Sequence, residues 1–193
     1  MDRKMRQTRL AAHNFITRED ETGDKYISGY FSVFNSNYEM WQGATESIAP
    51  GAFDGALDDD IRCLINHDTT LVLGRTKPGT LVLRADEKGL WGEVKINEKD
   101  QDALNAYERV KRGDVDQCSF GFDILSEERT EDPITGDVHW TIKSVKLYEV
   151  SVVTFPAYED TGVTARKKEY EEIKRRKSEE WKNSMIKKLK GES

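Results

Sequence analysis

Residues 115–125, "VDQCSFGFDIL", place two potential nucleophiles side by side, Cys118 and Ser119. The segment reads as a strand, and strand side chains point alternately to opposite faces. Asp116, Cys118, Phe120, Phe122 and Ile124 then share one face, and Gln117, Ser119, Gly121, Asp123 and Leu125 the other. Cys118 joins an aromatic face. Ser119 lies beside Gly121, which leaves room for a substrate backbone to approach. That favours Ser119 over Cys118 as the reactive group; the plainer alternative is a solvent-facing serine.

A serine hydroxyl is a weak nucleophile at its own pKa and needs a base within hydrogen-bond reach. The strand-like stretch "IRCLINHD" (61–68) ends in His67, on the face of Ile61, Cys63 and Ile65. Framed by Asn66 and Asp68, it is a candidate general base, set against a plain hydrogen-bonded histidine at a strand end. His139 follows a turn in a hairpin, and His13 lies in a polar N-terminal segment; both are weaker candidates. In "KSVKLYEVSVVTF", alternation puts Glu149 with Val145, Leu147, Ser151, Val153 and Phe155. A carboxylate on such a face is costly unless paired. An imidazolium would satisfy it, as would Arg75 or a solvated edge. Serine, histidine and acid are the parts of a hydrolase triad, but their spacing alone does not bring them together.

The elements that must position these residues are mostly strands. "KYISGYFSVFNS" (25–36) alternates as a strand, and 71–97 reads as strands joined by "KPG" and "DEKG" turns. Pro50 is placed to open a short helix carrying Phe53 and Leu57 on one face. The best helix is 98–114, with Ala103, Leu104, Tyr107 and Val110 at helical spacing and Gly113 as a stop. The turn "EDPITG" (131–136) joins the last strands into a hairpin. The expected fold is a β-rich α+β domain: a mostly antiparallel, partly closed β-barrel flanked by a few helices. Three parts are expected: a flexible segment at 1–23, the domain at 24–165, and a charged helical or disordered tail at 166–193.

Composition narrows the function classes. The 193 residues carry a net charge of −6, yet residues 166–193 alone hold 11 Lys/Arg against 6 Glu. The body is therefore acidic and the tail basic. Without a basic stripe the body is a poor nucleic-acid binder. No apolar run has the length of a membrane span, and the N-terminus lacks a signal-peptide apolar region. Two cysteines and three scattered histidines make neither a disulfide framework nor a metal-ligand pattern. No cofactor or metal is expected, and the chain is expected in the cytoplasm.

The ordered set "GYFSVFN", "ESIAPGAFDGAL", "NHD" with "LGRT", "GTLVLRADEKGLW", "CSFGF" and "LYEVSVVTFPAY" resembles the prohead proteases of tailed bacteriophages. These are serine endopeptidases of capsid maturation related to the herpesvirus assemblins. The resemblance runs from Tyr26 to Tyr158. It implies an assemblin-like barrel, His67 as base, Ser119 as nucleophile and Glu149 as third member, with His139 or Asp68 as alternatives. Oxyanion donors would come from Phe120 and Gly121, from around "GRT", or from Arg75. It further implies a scaffold protein or major capsid protein as substrate, self-cleavage, homo-oligomers such as dimers, and a site of action inside the prohead assembling in a bacterial host. Two rivals stand beside it: a catalytically silent scaffold-binding assembly module, and a cysteine peptidase using Cys118.

Overall fold

The computed structural model describes residues 7–12, 15–155 and 161–190. The chain divides into two compact units, residues 1–158 and 159–193. Among the described residues of the first, eleven strands run in chain order as β1 (Gln7–Ala12), β2 (Ile16–Glu19), β3 (Lys25–Val33), β4 (Tyr38–Trp41), β5 (Ala44–Ile48), β6 (Arg62–Ile65), β7 (Asp68–Arg75), β8 (Leu81–Ala85), β9 (Gly89–Lys95), β10 (Gln117–Glu131) and β11 (Val138–Val153). Helix α1 (Gln101–Arg112) lies between β9 and β10, and α2 (Thr161–Leu189) makes up the second unit. Strands β1 and β2 therefore form inside the segment expected to precede the domain.

The strands form two open sheets, so the expected barrel is corrected to a mixed-sheet α+β fold. The larger sheet follows the order β1-β10-β11-β5-β4, with β6 branching from β11 and carrying β7. The smaller is β2-β3-β9-β8. Neither closes on itself. The reason is local to β11, whose 16 residues outrun any one neighbour on its second edge. Its first part pairs in parallel with β5, from Val138 opposite Ala44 to Ile142 opposite Ile48. Its last part pairs in parallel with β6, from Glu149 opposite Arg62 to Val152 opposite Ile65. Its other edge is covered by β10 in a long antiparallel hairpin. The sheet thus forks where a barrel would continue around.

The core lies beneath β10 and β11 and is continuous with the inner face of the smaller sheet. Phe120 stacks on Phe122 at 4.8 Å between centroids and meets Phe53 edge-on at 5.8 Å. Ile27, Phe31, Leu81, Leu90 and Val94 close it from β3, β8 and β9. Helix α1 contributes Ala103, Ala106, Tyr107 and Val110, all buried. Its ends are set as its sequence demands: Asp100 accepts from the Asp102 and Ala103 amides, and Gly113 takes φ 85° as the left-handed stop. The helix expected after Pro50 does not form. Gly51 and Gly55 adopt φ of 83° and 78°, and residues 50–58 are consecutive turns instead. Two left-handed residues four apart leave no uninterrupted helical turn. Helix α2 is highly charged and bears an Arg176–Glu172 pair one turn apart at 2.6 Å. No helix among the described residues is long and apolar enough to cross a membrane.

Candidate active site

His67 is not part of a strand. Ile65 pairs with Asp68 across the β6–β7 hairpin, so Asn66 and His67 form a two-residue loop. Both take left-handed conformations, with φ of 51° and 60°. This is the turn that matches the twist of the flanking strands. Asn tolerates that region well, which explains Asn66 as the leading residue. The loop is fastened to the end of β11: the Asn66 amide donates to the Val152 carbonyl at 2.9 Å, and Asn66 Oδ1 accepts from the Thr154 amide at 2.8 Å. Because β6 runs parallel to the last part of β11, this fastening carries the His67 ring to the face of Glu149.

The imidazole Nδ1 lies 2.8 Å from Glu149 Oε1. An ionised carboxylate has no proton to give, so Nδ1 is the donor. That fixes the tautomer and leaves Nε2 as a bare acceptor. Nε2 is buried and has no hydrogen-bond partner among the described residues. An orphaned buried nitrogen costs about 1–3 kcal/mol and calls for an explanation such as a reacting group. Glu149 itself is 1% exposed. Its second oxygen, Oε2, accepts from Ser151 Oγ at 2.5 Å.

Ser119 sits directly across from Ser151 in the β10–β11 ladder, and Gly121 directly across from Glu149. Paired residues in an antiparallel ladder point to the same face, so Ser119, Gly121, Glu149 and Ser151 share one. Ser119 is 1% exposed, not solvent-facing. Gly121 has no side chain and leaves the space across the ladder to the carboxylate.

This arrangement rests on a bulge that alternation did not anticipate. Gly121 pairs with Glu149 but Phe122 pairs with Leu147, so Tyr148 is an extra residue on β11. The extra residue reverses the facing of everything before it. Val145 and Leu147 turn to the core with Phe122, whereas Glu149 and Ser151 turn to the opposite face. The expected company of Glu149 with Val145 and Leu147 is thus corrected.

The model of the caudovirus prohead serine protease family matches residues 13–176. The chain belongs to this family. It is 32% identical over 145 residues to the prohead protease of Enterobacteria phage HK97, a match covering 73% of this chain and 60% of the relative's length. The chain thus spans about three fifths of that relative. Among solved structures, the bacteriophage T4 capsid assembly protease is similar with a TM-score of 0.47 and 12% identity, over 78% of this chain and 99% of that one.

Other residues expected at a prohead protease site are placed elsewhere or otherwise engaged. His139 has both ring nitrogens bonded, Nδ1 to Thr45 Oγ1 and Nε2 to Ser47 Oγ, each at 2.8 Å. It lies ten positions from Glu149 along β11, roughly 30 Å of extended chain. Asp68 accepts from the Thr70 amide at 2.8 Å and from the Thr70 hydroxyl at 2.6 Å, and these bonds hold its carboxyl below the usual range. Arg75 is clamped by Asp60, with Nε 2.6 Å from Oδ1 and Nη2 against Oδ2. Phe120 and Gly121 lie in a strand paired with both β1 and β11, so their amides belong to ladders. Cys118 is in the core, its thiol directed at the Tyr30 carbonyl at 3.1 Å. It faces away from Glu149. Burial pushes the Cys63 thiol far above its ordinary value. Candidate base His13 lies outside the described residues.

The sequence reading missed the loop at 66–67 and the Ser151–Glu149 bond, and each left a signal. The loop was announced by Asn66, a residue at home in left-handed turns. Ser151 stands two residues after Glu149, the spacing that puts both on one face of a strand.

Proposed function

We propose that this chain is a serine endopeptidase of phage capsid maturation, with Ser119 as nucleophile, His67 as general base and Glu149 as the acid that orients it. The observation that carries the reading is His67 itself: a carboxylate holds Nδ1 while Nε2 is buried with no partner among the described residues, and the buried Ser119 lies on the face of that carboxylate, opposite Ser151 in the ladder.

The chemistry follows from that polarity. Ser119 Oγ attacks a peptide carbonyl and Nε2 takes its proton. The imidazolium so formed is stabilised by Glu149 at the far nitrogen. As the tetrahedral intermediate collapses, the C–N bond breaks and Nε2 returns the proton to the leaving amine. Water, deprotonated by the same nitrogen, then cleaves the acyl ester and restores Ser119. Hydrogen-bond donors aimed at the oxyanion contribute a few kcal/mol each in such reactions. The ladders that hold the Phe120 and Gly121 amides, and the Asp60 clamp on Arg75, must yield before those groups serve.

The substrates are segments of the scaffold or major capsid protein, met inside the assembling prohead, and then the chain itself. The acidic body and the basic α2 unit fit self-trimming. The working enzyme is an oligomer of this chain. The test is incubation with the capsid and scaffold proteins of the same phage, read by intact-protein mass spectrometry, alongside a sulfonyl fluoride label. The reading expects new fragments with the wild type, none with Ser119→Ala, and the label on Ser119. If wild type and Ser119→Ala bind scaffold equally, neither cuts and neither is labelled, the chain is a silent assembly module.

A further inference from the structure

One buried polar side chain in contact with the proposed triad has no role in it. Ser151 is 0% exposed and lies directly opposite Ser119. Its Oγ is 2.5 Å from Glu149 Oε2 and 3.4 Å from His67 Nδ1. We propose that Ser151 is a positioning residue whose hydroxyl, by donating to Glu149 Oε2, presents Oε1 to His67 and so fixes the ring tautomer that leaves Nε2 as base. This rests on the reading of Ser119, His67 and Glu149 as a triad.

The two distances decide where the Ser151 proton goes. An O–H···O⁻ bond of 2.5 Å lies at the short, strong end of its range, whereas 3.4 Å lies beyond an ordinary hydrogen bond to nitrogen. The hydroxyl therefore serves Glu149. The carboxylate needs that service because its terminal torsion is broad and nearly two-fold. Rotation about that torsion would swing the Glu149 oxygens and take the ring with them. A donor on each oxygen removes that freedom, since Ser151 sits on a strand paired on both edges, opposite Ser119 on β10 and Leu64 on β6.

The same geometry argues against Ser151 as the nucleophile. It lies on the Nδ1 side of the ring, where the nitrogen already gives its proton to Glu149. The nitrogen able to accept a proton is at the other end. Ser151 is thus on the wrong side for attack and on the right side for alignment.

The experiment compares Ser151→Ala and the near-isosteric Ser151→Cys, a weaker donor, with wild type and Ser119→Ala. Two readouts are taken: kcat and KM on a scaffold-derived peptide, and the proton NMR resonance of His67 Nδ1–H. For Ser151→Ala the expectation is a fall in kcat of about 100-fold, the loss typical of a reacting group misplaced by about 1 Å, with KM within about twofold. Ser151→Cys is expected to fall between Ala and wild type. The Nδ1–H resonance should broaden or move upfield in the same order. If Ser151→Ala does not fold, the Cys variant decides. Wild-type kcat together with an unchanged resonance in the folded variants overturns the proposal. So does a sulfonyl fluoride label found on Ser151. If instead Ser119→Ala cleaves as well as wild type, the triad reading fails, while the resonance still reports whether Ser151 aligns the Glu149–His67 pair.

Discussion

Among the described residues two imidazoles are gripped by β-strands, and the grips have the same design. At one site Thr45 and Ser47, two residues apart on β5, hold His139. At the other Glu149 and Ser151, two residues apart on β11, meet His67. The first grip spends a hydroxyl on each ring nitrogen. The second places a carboxylate on Nδ1, backs it with a hydroxyl, and leaves Nε2 buried and bare. A saturated ring is a structural strut, and its protons have nowhere to go. A ring held at one end by a carboxylate has its other nitrogen without a partner among the described residues. Burial does not distinguish the two; the chemistry of the residue at position i of each i, i+2 pair does.

The largest effect expected is a double dissociation between the histidines. His67→Ala should cut peptide hydrolysis by at least about 10³-fold, as loss of a triad base does elsewhere. His139→Ala should leave hydrolysis within about threefold, yet lower stability by about 1–3 kcal/mol, because Thr45 and Ser47 lose their partner. Urea titration and initial rates on the same preparations separate the two. Similar activity losses from both substitutions would erase the distinction. Next in size is Glu149→Gln, which keeps shape and removes charge. It should lower kcat by about 10³- to 10⁴-fold, since the amide cannot hold the required tautomer. Rates within tenfold of wild type would show that hydrogen bonding alone suffices at Nδ1.

A smaller effect sharpens the role of the loop. Asn66→Ala should cost about 1–2 kcal/mol of stability, from the left-handed conformation and the lost bond to the Thr154 amide. Activity should fall with it, because the same loop aims His67; a loss of stability at full activity would mean that the ring is aimed without the loop. The smallest effect concerns the rival nucleophile. Cys118→Ala should leave the rate within about twofold. Native protein should resist thiol alkylation at both cysteines, since each is 0% exposed, until denaturant is added; rapid native labelling of Cys118 would reopen the cysteine peptidase.

Much of this was legible before any coordinates, and what failed did so for identifiable reasons. The parity of 116–125 correctly sent Cys118 to the core and Ser119 to the other face, because β10 carries no extra residue from Gln117 to Ile124. The same rule misjudged the neighbours of Glu149, because a bulge at Tyr148 resets the count and no residue type announces it. Helix α1 was readable from its periodicity and caps. The region after Pro50 was not a helix, and Gly51 and Gly55 carried the warning. Closure into a barrel was overestimated because pairing partners are set far along the chain: nothing in 138–153 says that one edge will be shared between β5 and β6.

That shared edge also sets a schedule. The serine is carried by β10 and the histidine by the β6–β7 loop, but both are drawn together only by β11, the last strand of the body to be synthesised. Until residues 138–153 have emerged, a nascent chain holds a hydroxyl and an imidazole with nothing to join them, and the carboxylate does not yet exist. With the triad proposed above, competence to cut would arrive only with this strand.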